Sequence, residues 1–579
     1  MKKFRYTLLT AFVFGLMIMT SNTAKAQLTD GVFPAAGTPS NPKVEATWNH
    51  YYNYQGISEL TERIAKAYPD LAKRSSIGKS YEGKDIWMLT VSNFKKGDPD
   101  RKPAIYIDGN IHSNEIQGTE MSLYTAWYLT ESFGDVKFIT ELLNDKTFYI
   151  VPTINPDARE HYMTEPNTGS SPRSGLKPID DDGDGLVDED QPDDLDGNGS
   201  ITQMRRKNPR GNFRAHPTYP NMMVRVPDDE FGDYEYLGSE GIDNDNDGRI
   251  NEDRVGYYDP NRDWGWNWQP NHIQGGAHKY PFSLPETRAV MDFVMERPNI
   301  AAAQSYHNSG GMILRGPGVA EDISTYNRQD VQVYDAIGEM GERLIPGYRY
   351  LVVYDDLYDV FGGELDWFYG VRGVFTYSNE LWTSYEMFQS NDRSATDSYE
   401  FNKYLLFGDA MQEWTEYDHP QYGKIEIGGF KKNFGRAHPG FLLEQGAHRN
   451  MAFTIYHAYH TPKLTIDEIS EKNLGGGLRE VTAVVTNSRL MPTHASIDVN
   501  NKIMPPDIIS IEGATVEAGM IVTNRDLNQT TEQKFRPERI EVANIPGMSS
   551  VTVRWIISGG NNYTVKVDSQ KGGVVSKKK

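Results

Sequence analysis

The segment Ala104-Ile-Tyr-Ile-Asp-Gly-Asn-Ile-His112-Ser-Asn-Glu115 predicts a buried strand that ends beside two metal-binding side chains. Residues 104–107 form a short, continuous apolar run, which is typical of a strand covered on both faces. Open α/β sheets carry their sites at the carboxyl ends of the strands, and His112 and Glu115 follow this end directly. Because they are three positions apart, we expect both side chains to reach one ion. A lone pair with this spacing is weak evidence, so the rest of the chain must support it.

Strand and helix patterns alternate on both sides of this segment. Further strands are expected at 86–91, at 147–151, and at two places ending near Tyr306 and Tyr377. Helical spacing of apolar residues occurs at 57–67, after Glu115, around 330–344 and around 404–414. This alternation predicts an α/β domain with a mixed, largely parallel, twisted sheet that has helices on both faces.

A second histidine completes a metal-binding set. His307 directly follows the predicted strand 301–306, so it belongs at the same edge of the sheet as His112 and Glu115. Two histidines and one glutamate are a ligand set of catalytic zinc, whose fourth position stays open for water. The chain has no cysteine, which excludes thiolate ligands and a cysteine nucleophile. Taken alone, His307 would more often be a buried histidine with a purely structural role.

Five further motifs follow one another within residues 51–414. They are Ile77-Gly-Lys-Ser-Tyr-Glu-Gly-Lys84, Asn155-Pro-Asp157, Met204-Arg-Arg-Lys-Asn208, Asn261-Arg-Asp-Trp264 and Phe375-Thr-Tyr-Ser-Asn-Glu-Leu381. In this order, together with the two histidines and the glutamate, they resemble the carboxypeptidase A-type zinc metallocarboxypeptidases, also called funnelins. Each motif alone is weak, whereas their shared order is specific.

The resemblance implies a catalytic centre. His112, Glu115 and His307 would hold one catalytic zinc ion, which lowers the pKa of bound water and polarises the scissile carbonyl. Glu380 would take the proton of the water and pass it to the leaving amine. Arg206 would lie where negative charge develops on the carbonyl oxygen, a contribution on the order of 3–4 kcal/mol.

The resemblance also implies how substrate is held. Asn261 and Arg262 would bind the terminal carboxylate of a peptide, because a guanidinium fork matches a carboxylate. Tyr358 would close over the substrate, and Leu365 would lie at the base of the side-chain pocket. The predicted activity is therefore removal of residues one at a time from the C-terminus, with an aliphatic or aromatic preference predicted from the apolar Leu365.

Three departures from the family pattern matter. Asn114 stands where many relatives have arginine, which weakens a contact to the substrate backbone. Arg205 replaces the usual aromatic residue beside Arg206, so Arg205 is an alternative for the oxyanion role. Glu115 and His307 are 192 positions apart, which is longer than the family usually shows.

Acidic segments at 180–196 and 228–253 account for that length and for much of the net charge of −21. Alternating carboxylates before a turn glycine occur in two parallel copies and a third, partial one, and they suit a hard cation such as Ca²⁺. A solvated acidic loop is the alternative. Structural calcium would brace the loops that carry Arg206, Asn261 and Arg262. The predicted ligands are Asp180, Asp182, Asp184, Asp188, Asp190, Asp194, Asp196, Asn198, Asp243, Asp245, Asp247, Asn251 and Asp253.

The 579 residues are too many for one ordinary core. Residues 1–26 place basic side chains before an apolar run and Ala24-Lys-Ala26 after it, which predicts a Sec-type signal peptide and a secreted or periplasmic protein. An uncleaved anchor is the alternative, and no later membrane span is expected. The further predicted segments are a lead-in at 27–44, a catalytic domain at 45–418 with acidic insertions at about 179–203 and 240–254, a connecting region at 419–462, a β-sandwich at 463–570 and a loose tail at 571–579.

The expected partners are peptides or proteins with a free C-terminus, since the net charge of −21 argues against nucleic acid. One alternative is another zinc hydrolase on the same scaffold, acting on cell-wall peptides or amidated amino acids. Asn261, Arg262 and Tyr358 favour the carboxypeptidase. The other alternative is an inactive binding relative, which the presence of all three zinc ligands and Glu380 disfavours.

Overall fold

The computed structural model describes residues 35–181, 183–256 and 258–579. The predicted signal peptide at 1–26, the first part of the lead-in and the predicted calcium ligand Asp182 lie outside the described residues. Residues 35–43 contain turns and coil, and residues 44–579 form one compact unit.

The strands are β1 (Ala72–Lys79), β2 (Asp85–Val91), β3 (Ala104–Gly109), β4 (Thr147–Val151), β5 (Gln203–Gly211), β6 (Phe213–Ala215), β7 (Met223–Arg225), β8 (Gly232–Ser239), β9 (Ile300–Asn308), β10 (Met312–Arg315), β11 (Arg349–Val352), β12 (Phe375–Leu381), β13 (Met411–His419), β14 (Gly423–Phe430), β15 (Leu464–Gly475), β16 (Leu478–Asn487), β17 (Asp507–Glu512), β18 (Thr515–Asn524), β19 (Gln529–Glu532), β20 (Arg539–Val542), β21 (Ser549–Ser558), β22 (Thr564–Ser569) and β23 (Gly573–Lys578).

The α-helices are α1 (Tyr54–Ala67), α2 (Gln117–Glu131), α3 (Lys137–Asp145), α4 (Pro156–Thr164), α5 (Pro285–Met295), α6 (Arg328–Leu344), α7 (Val353–Asp356), α8 (Glu364–Arg372), α9 (Tyr385–Phe388), α10 (Asp397–Leu405), α11 (Gly440–Tyr459) and α12 (Ser496–Asn501). None of the helices among the described residues is long and apolar enough to cross a membrane.

The central sheet has eight strands in the order β1-β2-β4-β3-β9-β12-β10-β11. Its middle strands β4, β3, β9 and β12 are parallel, so their carboxyl ends share one edge. β2 pairs antiparallel with β1 and with β4, and β10 is antiparallel to β12 and parallel to β11. The predicted mixed, largely parallel sheet is confirmed, and each predicted strand lies within it.

Two hydrophobic clusters cover the two faces of this sheet. Successive residues of a strand point to opposite faces, so Ile105 and Ile107 pack with α1, α2, α6 and α11, while Ala104 and Tyr106 pack with α5 and α8. Burial on both faces explains the continuous apolar run at the start of β3.

A second sheet of six antiparallel strands, in the order β13-β14-β5-β8-β6-β7, is built from an insertion and a later hairpin. The predicted helix around 404–414 was wrong. Helix α10 ends at Leu405, Gly408 has a φ of 93°, and Met411–His419 pairs along β14. The expected connecting region at 419–462 contributes β14 to this sheet and α11 to the core of the central sheet.

The C-terminal strands form two antiparallel sheets, β15-β16-β21-β18-β19 and β20-β17-β22-β23, around a core that includes the fully buried Trp555. This is an all-β sandwich. The expectation of a loose tail at 571–579 was wrong, because Gly573–Lys578 pairs along the whole of β22 as strand β23.

Candidate metal centre and substrate cleft

The three predicted metal ligands converge at the carboxyl edge of the central sheet, where β3 and β9 are parallel neighbours. Nδ1 of His112 lies 3.0 Å from Oε1 of Glu115, and Nδ1 of His307 lies 3.0 Å from Oε2 of the same carboxylate. The two Nδ1 atoms are 3.2 Å apart. All three side chains are buried, and two imidazole nitrogens facing one carboxylate fit the donor set of zinc.

Close backbone packing fixes the loop that carries His112 and Glu115. A Cβ atom on Gly109 would lie 2.5 Å from the backbone of Gly118, so glycine lets α2 approach the end of β3. Asn110 has a φ of 59° and donates from Nδ2 to the backbone carbonyls of His112 and Ser113 at 2.7 and 3.0 Å. Local hydrogen bonds therefore hold the loop that carries two of the three ligands.

Asp259 orients the first histidine. Nε2 of His112 donates to Oδ1 of Asp259 at 2.9 Å, which leaves Nδ1 free to bind a metal. Asp259 also accepts the backbone N–H of Asn261 at 2.8 Å, so the same carboxylate links the histidine to the predicted carboxylate-binding segment. Asp259 was not predicted from the sequence, although its position two residues before Asn261 was a usable signal.

Glu380 lies beside this cluster. It is in register with His307 on the neighbouring strand β9 and lines the same cleft. Burial and the neighbouring Glu115 carboxylate raise the pKa of Glu380 to about 7, against the opposing effect of His307 and two arginines. A carboxylate with a pKa near the operating pH suits general acid–base work.

Arg206 is not at the metal centre. It lies on β5 of the six-stranded sheet, where its Nε donates to Oε1 of Glu235 at 2.8 Å, and it is not among the described residues that line the cleft. Its alternative, Arg205, donates to Glu426 at 2.7 Å and stacks on Trp414 with 4.0 Å between guanidinium carbon and ring centre. The predicted position of Arg206 is corrected, because both arginines have partners within their own sheet.

Arg173 occupies the cleft instead. Its Nη1 donates to Oδ2 of Asp259 at 2.5 Å, and its Nε lies 3.9 Å from Oε1 of Glu115. The backbone carbonyl of Arg173 accepts from the N–H of Ser113 at 2.9 Å, which ties this segment to the ligand loop. No recognisable motif surrounds Arg173, so only the tertiary contacts reveal it.

The predicted substrate-binding residues all line one cleft with His112, His307 and Glu380. Arg262 is 7% exposed, and its Nε has no hydrogen-bond partner among the described residues. Oδ1 of Asn261 accepts the backbone N–H of Glu364 at 2.9 Å. Tyr358 is 58% exposed at the rim, and Leu365 belongs to the lining.

Two of the sequence motifs stabilise the loop that carries the first two zinc ligands. Oγ of Ser80 and the backbone N–H of Glu82 each donate to Asp157 at 2.8 Å, which joins the segment 77–84 to Asn155-Pro-Asp157. Nδ2 of Asn155 donates to the carbonyl of Ile111 at 3.2 Å, one residue before the first ligand. These motifs position the ligand loop rather than the substrate.

Each of the two acidic loops contributes a buried aspartate that accepts a hydrogen bond from the other loop. Asp190 and Asp253, at the ends of the two loops, form an isolated β-bridge and are 0% and 1% exposed. Asp190 accepts the backbone N–H of Asn251 at 2.8 Å, and Asp253 accepts that of Asp181 at 3.0 Å. The carboxylate of Asp190 therefore bonds to the second acidic loop, and that of Asp253 bonds to the first.

Several carboxylates in these loops face one another. The groups whose oxygens lie within 4.8 Å of each other are Asp190/Asp245/Glu252, Asp194/Asp196/Glu240 and Asp243/Asp245/Asp247. Burial and the neighbouring Asp190 raise the pKa of Glu252 to about 7. Neither oxygen of Glu252 has a hydrogen-bond partner among the described residues. Glu240 and Glu252 were missed as candidate ligands, although Glu252 lies next to the predicted Asp253.

The remaining predicted calcium ligands hydrogen-bond to backbone groups. Asp180, Asp184 and Asn198 accept N–H groups of their own loops. Asp188 accepts the N–H of Gly256 at 3.3 Å, and Nδ2 of Asn251 donates to the carbonyl of Ser239 at 3.1 Å. Asp188 is not among the carboxylate groups described above, whereas Oδ1 of Asn251 is buried and has no hydrogen-bond partner among the described residues.

The mixed sheet and the buried His-Glu-His cluster at its carboxyl edge define an α/β protein with a candidate zinc site. The chain belongs to the zinc carboxypeptidase family, Peptidase_M14, whose model matches residues 57–401. A second model, a domain of unknown function (DUF8731), matches residues 463–579.

Known proteins resemble different shares of the chain. Carboxypeptidase B of Astacus astacus is 24% identical over 348 residues, which are 58% of this chain and 87% of that protein. Carboxypeptidase D of Mus musculus is 30% identical over 129 residues, which are 21% of this chain and 9% of that protein. The inactive metallocarboxypeptidase ECM14 of Ajellomyces capsulatus is 35% identical over 128 residues, 22% of this chain and 21% of that protein. Membership of the family therefore does not by itself establish activity.

Among solved structures, carboxypeptidase A from Helicoverpa armigera matches with a TM-score of 0.41 and 18% identity over 72% of this chain and 76% of that chain.

Proposed function

We propose that this chain is a secreted zinc metallocarboxypeptidase that hydrolyses the last peptide bond of peptides with a free C-terminus. One observation carries the proposal: the cleft that contains His112, His307 and Glu380 also contains Arg262, a buried guanidinium whose Nε has no hydrogen-bond partner within the described part of the chain. A free α-carboxylate would satisfy that fork, and it would bring the preceding peptide bond towards the metal centre.

Each residue has a separate task in the proposed reaction. His112, Glu115 and His307 would hold the zinc ion, which when bound would supply Lewis-acid polarisation of the scissile carbonyl and lower the pKa of water. Glu380 accepts the proton of the attacking water and delivers it to the departing amine nitrogen.

Arg173 is the cation best placed to stabilise the developing oxyanion, because it approaches Glu115 while held by Asp259. Arg262 and Asn261 hold the terminal carboxylate. Tyr358 is exposed at the rim, where a ring can move over bound substrate.

Secretion is supported by the basic start, apolar run and Ala24-Lys-Ala26 of residues 1–26. The preference for an aliphatic or aromatic C-terminal residue rests on Leu365 alone and stays a prediction.

The direct test is mass spectrometry of a peptide incubated with the purified, zinc-loaded protein. We expect a ladder of products shortened from the C-terminus, and no release from the same peptide with an amidated C-terminus. The variant Glu380→Gln keeps the size of the side chain and should lower release by about 10²–10⁴-fold. Equal cleavage of the free and amidated peptides would favour the alternative amidohydrolase, and no cleavage with zinc bound would favour an inactive relative.

We also propose that the acidic loops bind structural calcium. The burial of Asp190 and Asp253 supports this proposal, because two buried carboxylates beside Glu252 and other acids are costly without a cation. Oxygen ligands in alternating positions suit Ca²⁺.

Selective calcium removal with zinc retained should lower the melting temperature and the activity together. Asp253→Asn should weaken calcium binding measured by calorimetry, while Asp228→Asn, on an exposed loop, should not. An unchanged melting temperature and unchanged activity after calcium removal would exclude the proposal.

A further inference from the structure

A second arginine approaches the metal centre from outside the cleft that contains Arg262. Nη2 of Arg436 lies 3.7 Å from Oε1 of Glu115, the same oxygen that Nε of Arg173 approaches at 3.9 Å. Arg436 is not among the described residues that line the cleft, and it lies beyond residues 57–401, which match the family model. The proposed reaction gives this arginine no task.

The elements next to Glu115 and His307 hold Arg436 in place. Its backbone carbonyl accepts from Nε2 of Gln117, in the first turn of α2, at 3.0 Å and from Nδ2 of Asn308, the residue after His307, at 2.8 Å. In return, Nη2 of Arg436 donates to the carbonyl of Asn308 at 2.7 Å. The guanidinium is therefore fixed beside the metal centre.

The guanidinium of Arg436 has donors left for a ligand. Arginine carries five N–H donors, and the bond to Asn308 uses one of them. Nε has no hydrogen-bond partner within the described part of the chain, and the side chain is 32% exposed. A fixed and partly exposed guanidinium can bind an acceptor that arrives from solvent.

The charge of Arg436 also acts on the predicted catalytic carboxyl group. Burial and Glu115 raise the pKa of Glu380 to about 7, and Arg436 is one of the two arginines that oppose this rise. Because electrostatic effects fall with distance, Arg436 is near the place where the scissile bond must lie.

The proposed reaction fixes where the rest of a substrate must go. Arg262 and Leu365 line the cleft that would take the terminal residue, and the scissile carbonyl would lie between the metal centre and Glu380. Residues upstream of the scissile bond must then leave the cleft across the metal centre. Arg436 lies next to that centre but outside the lining, so it is placed to meet the upstream chain.

The side chain between the first two zinc ligands does not offer a donor to this part of the substrate. Asn114 is 1% exposed, and its Nδ2 donates to the carbonyl of Gly169 at 3.4 Å. Its amide is therefore buried and directed at a loop of the protein. Arg436 is the donor that remains for a peptide carbonyl on the Glu115 side of the site.

We infer that Arg436 binds the peptide carbonyl immediately upstream of the scissile one, so that the protein favours substrates with at least three residues. The inference rests on the proposed function. A dipeptide has no such carbonyl and would leave the guanidinium without an acceptor. A longer peptide would be held on both sides of the scissile bond, by Arg262 at its terminal carboxylate and by Arg436 upstream.

Two tripeptides that differ only in the first amide test this inference. One is unmodified, and in the other a trans-alkene replaces the first amide, which removes the carbonyl without adding charge. We expect kcat/KM to be at least about tenfold higher for the unmodified tripeptide, because the analogue loses a hydrogen bond to a charged group. Arg436→Met should reduce this ratio to about one, mainly by raising KM for the unmodified tripeptide.

Two further variants sharpen the comparison. Lys431→Met changes a lysine of the same segment whose Nζ donates to the carbonyl of Asp409 at 2.8 Å, and it should leave the ratio unchanged. Arg436→Lys keeps a positive charge beside Glu115 and should retain part of the ratio. Equal kcat/KM for the two tripeptides in the unmodified protein would overturn the inference, as would an equal loss on both tripeptides in Arg436→Met.

A binding measurement separates this inference from the proposed function. In the Glu380→Gln background, the unmodified tripeptide should bind more tightly than the alkene analogue, and adding Arg436→Met should abolish the difference. If the unmodified protein cleaves nothing but this difference is present, the proposed activity fails and the assignment of Arg436 stands. Equal affinities for the two tripeptides would reject Arg436 as a substrate-binding residue.

Discussion

The central sheet brings its predicted catalytic residues into one cleft, whereas the six-stranded sheet holds its predicted catalytic arginine away from that cleft. At the carboxyl edge of the central sheet, β3, β9 and β12 bring His112, His307 and Glu380 into one cleft. In the six-stranded sheet, Arg206 lies in a motif of the expected kind but pairs with Glu235. Parallel register reliably gathers residues at strand ends, whereas a motif inside an insertion says little about where its side chain points.

The largest expected difference between the two sites is the loss of kcat when Arg173 or Arg206 is replaced. Arg173→Ala should lower kcat by about 10²–10³-fold, because it removes a donor near the developing charge. Arg206→Ala should change kcat by less than about threefold, since its guanidinium lies in another sheet. Steady-state kinetics on one peptide would measure both. A larger loss of kcat in Arg206→Ala than in Arg173→Ala would contradict this comparison and would assign the oxyanion role to Arg206.

A second contrast concerns zinc affinity. Asp259→Asn should weaken zinc binding by about 10–100-fold, because Asp259 fixes the tautomer of His112. Glu235→Gln is the matched control in the six-stranded sheet, and it should leave zinc affinity unchanged. Competition with a chelator would measure both variants. Equal zinc affinity in Asp259→Asn and the unmodified protein would show that the hydrogen bond does not orient the ligand.

The smallest effect compares a buried ion pair with an exposed one. His494 lies 2.9 Å from Asp498 and 3.2 Å from Asp507, and although burial opposes its charge, these hydrogen bonds raise the pKa of His494 to about 9. Because the folded pKa exceeds the unfolded value of about 6.5, the stabilisation is complete below about pH 6.5 and is lost towards pH 9.

We expect the unmodified protein to lose about 1–3 kcal/mol of stability relative to His494→Gln over this range. Breaking the partly exposed Arg206–Glu235 pair should cost no more than about 1 kcal/mol. Denaturant unfolding at several pH values would measure both. A stability difference between the unmodified protein and His494→Gln that is constant from pH 6.5 to 9 would contradict the assignment.

Most of the fold was predictable, and the failures have physical causes. The apolar run at the start of β3 and the helical spacing of α1 are local patterns, which can be read without knowing the distant partners of these residues. The residues around Trp414 became strand β13 because they pair with β14. Cross-strand hydrogen bonds with a distant partner can override a local helical pattern.

The candidate site divides in the same way. The zinc ligands lie at or just after strand ends, so their grouping could be predicted from local sequence, whereas the role of Glu380 was predicted from the family resemblance. Asp259 and Arg173 act through partners more than 50 positions away, and no short motif records such contacts.

By itself, the sequence determined the class of fold, the His-Glu-His donor set and the exclusion of thiolate chemistry, because these depend on residue type and local spacing. Only the tertiary structure decided which arginine enters the cleft and which aspartate orients His112. These properties depend on burial and on partners that chain folding brings together, and the free energy of a charged group is set by those surroundings rather than by its place in the sequence.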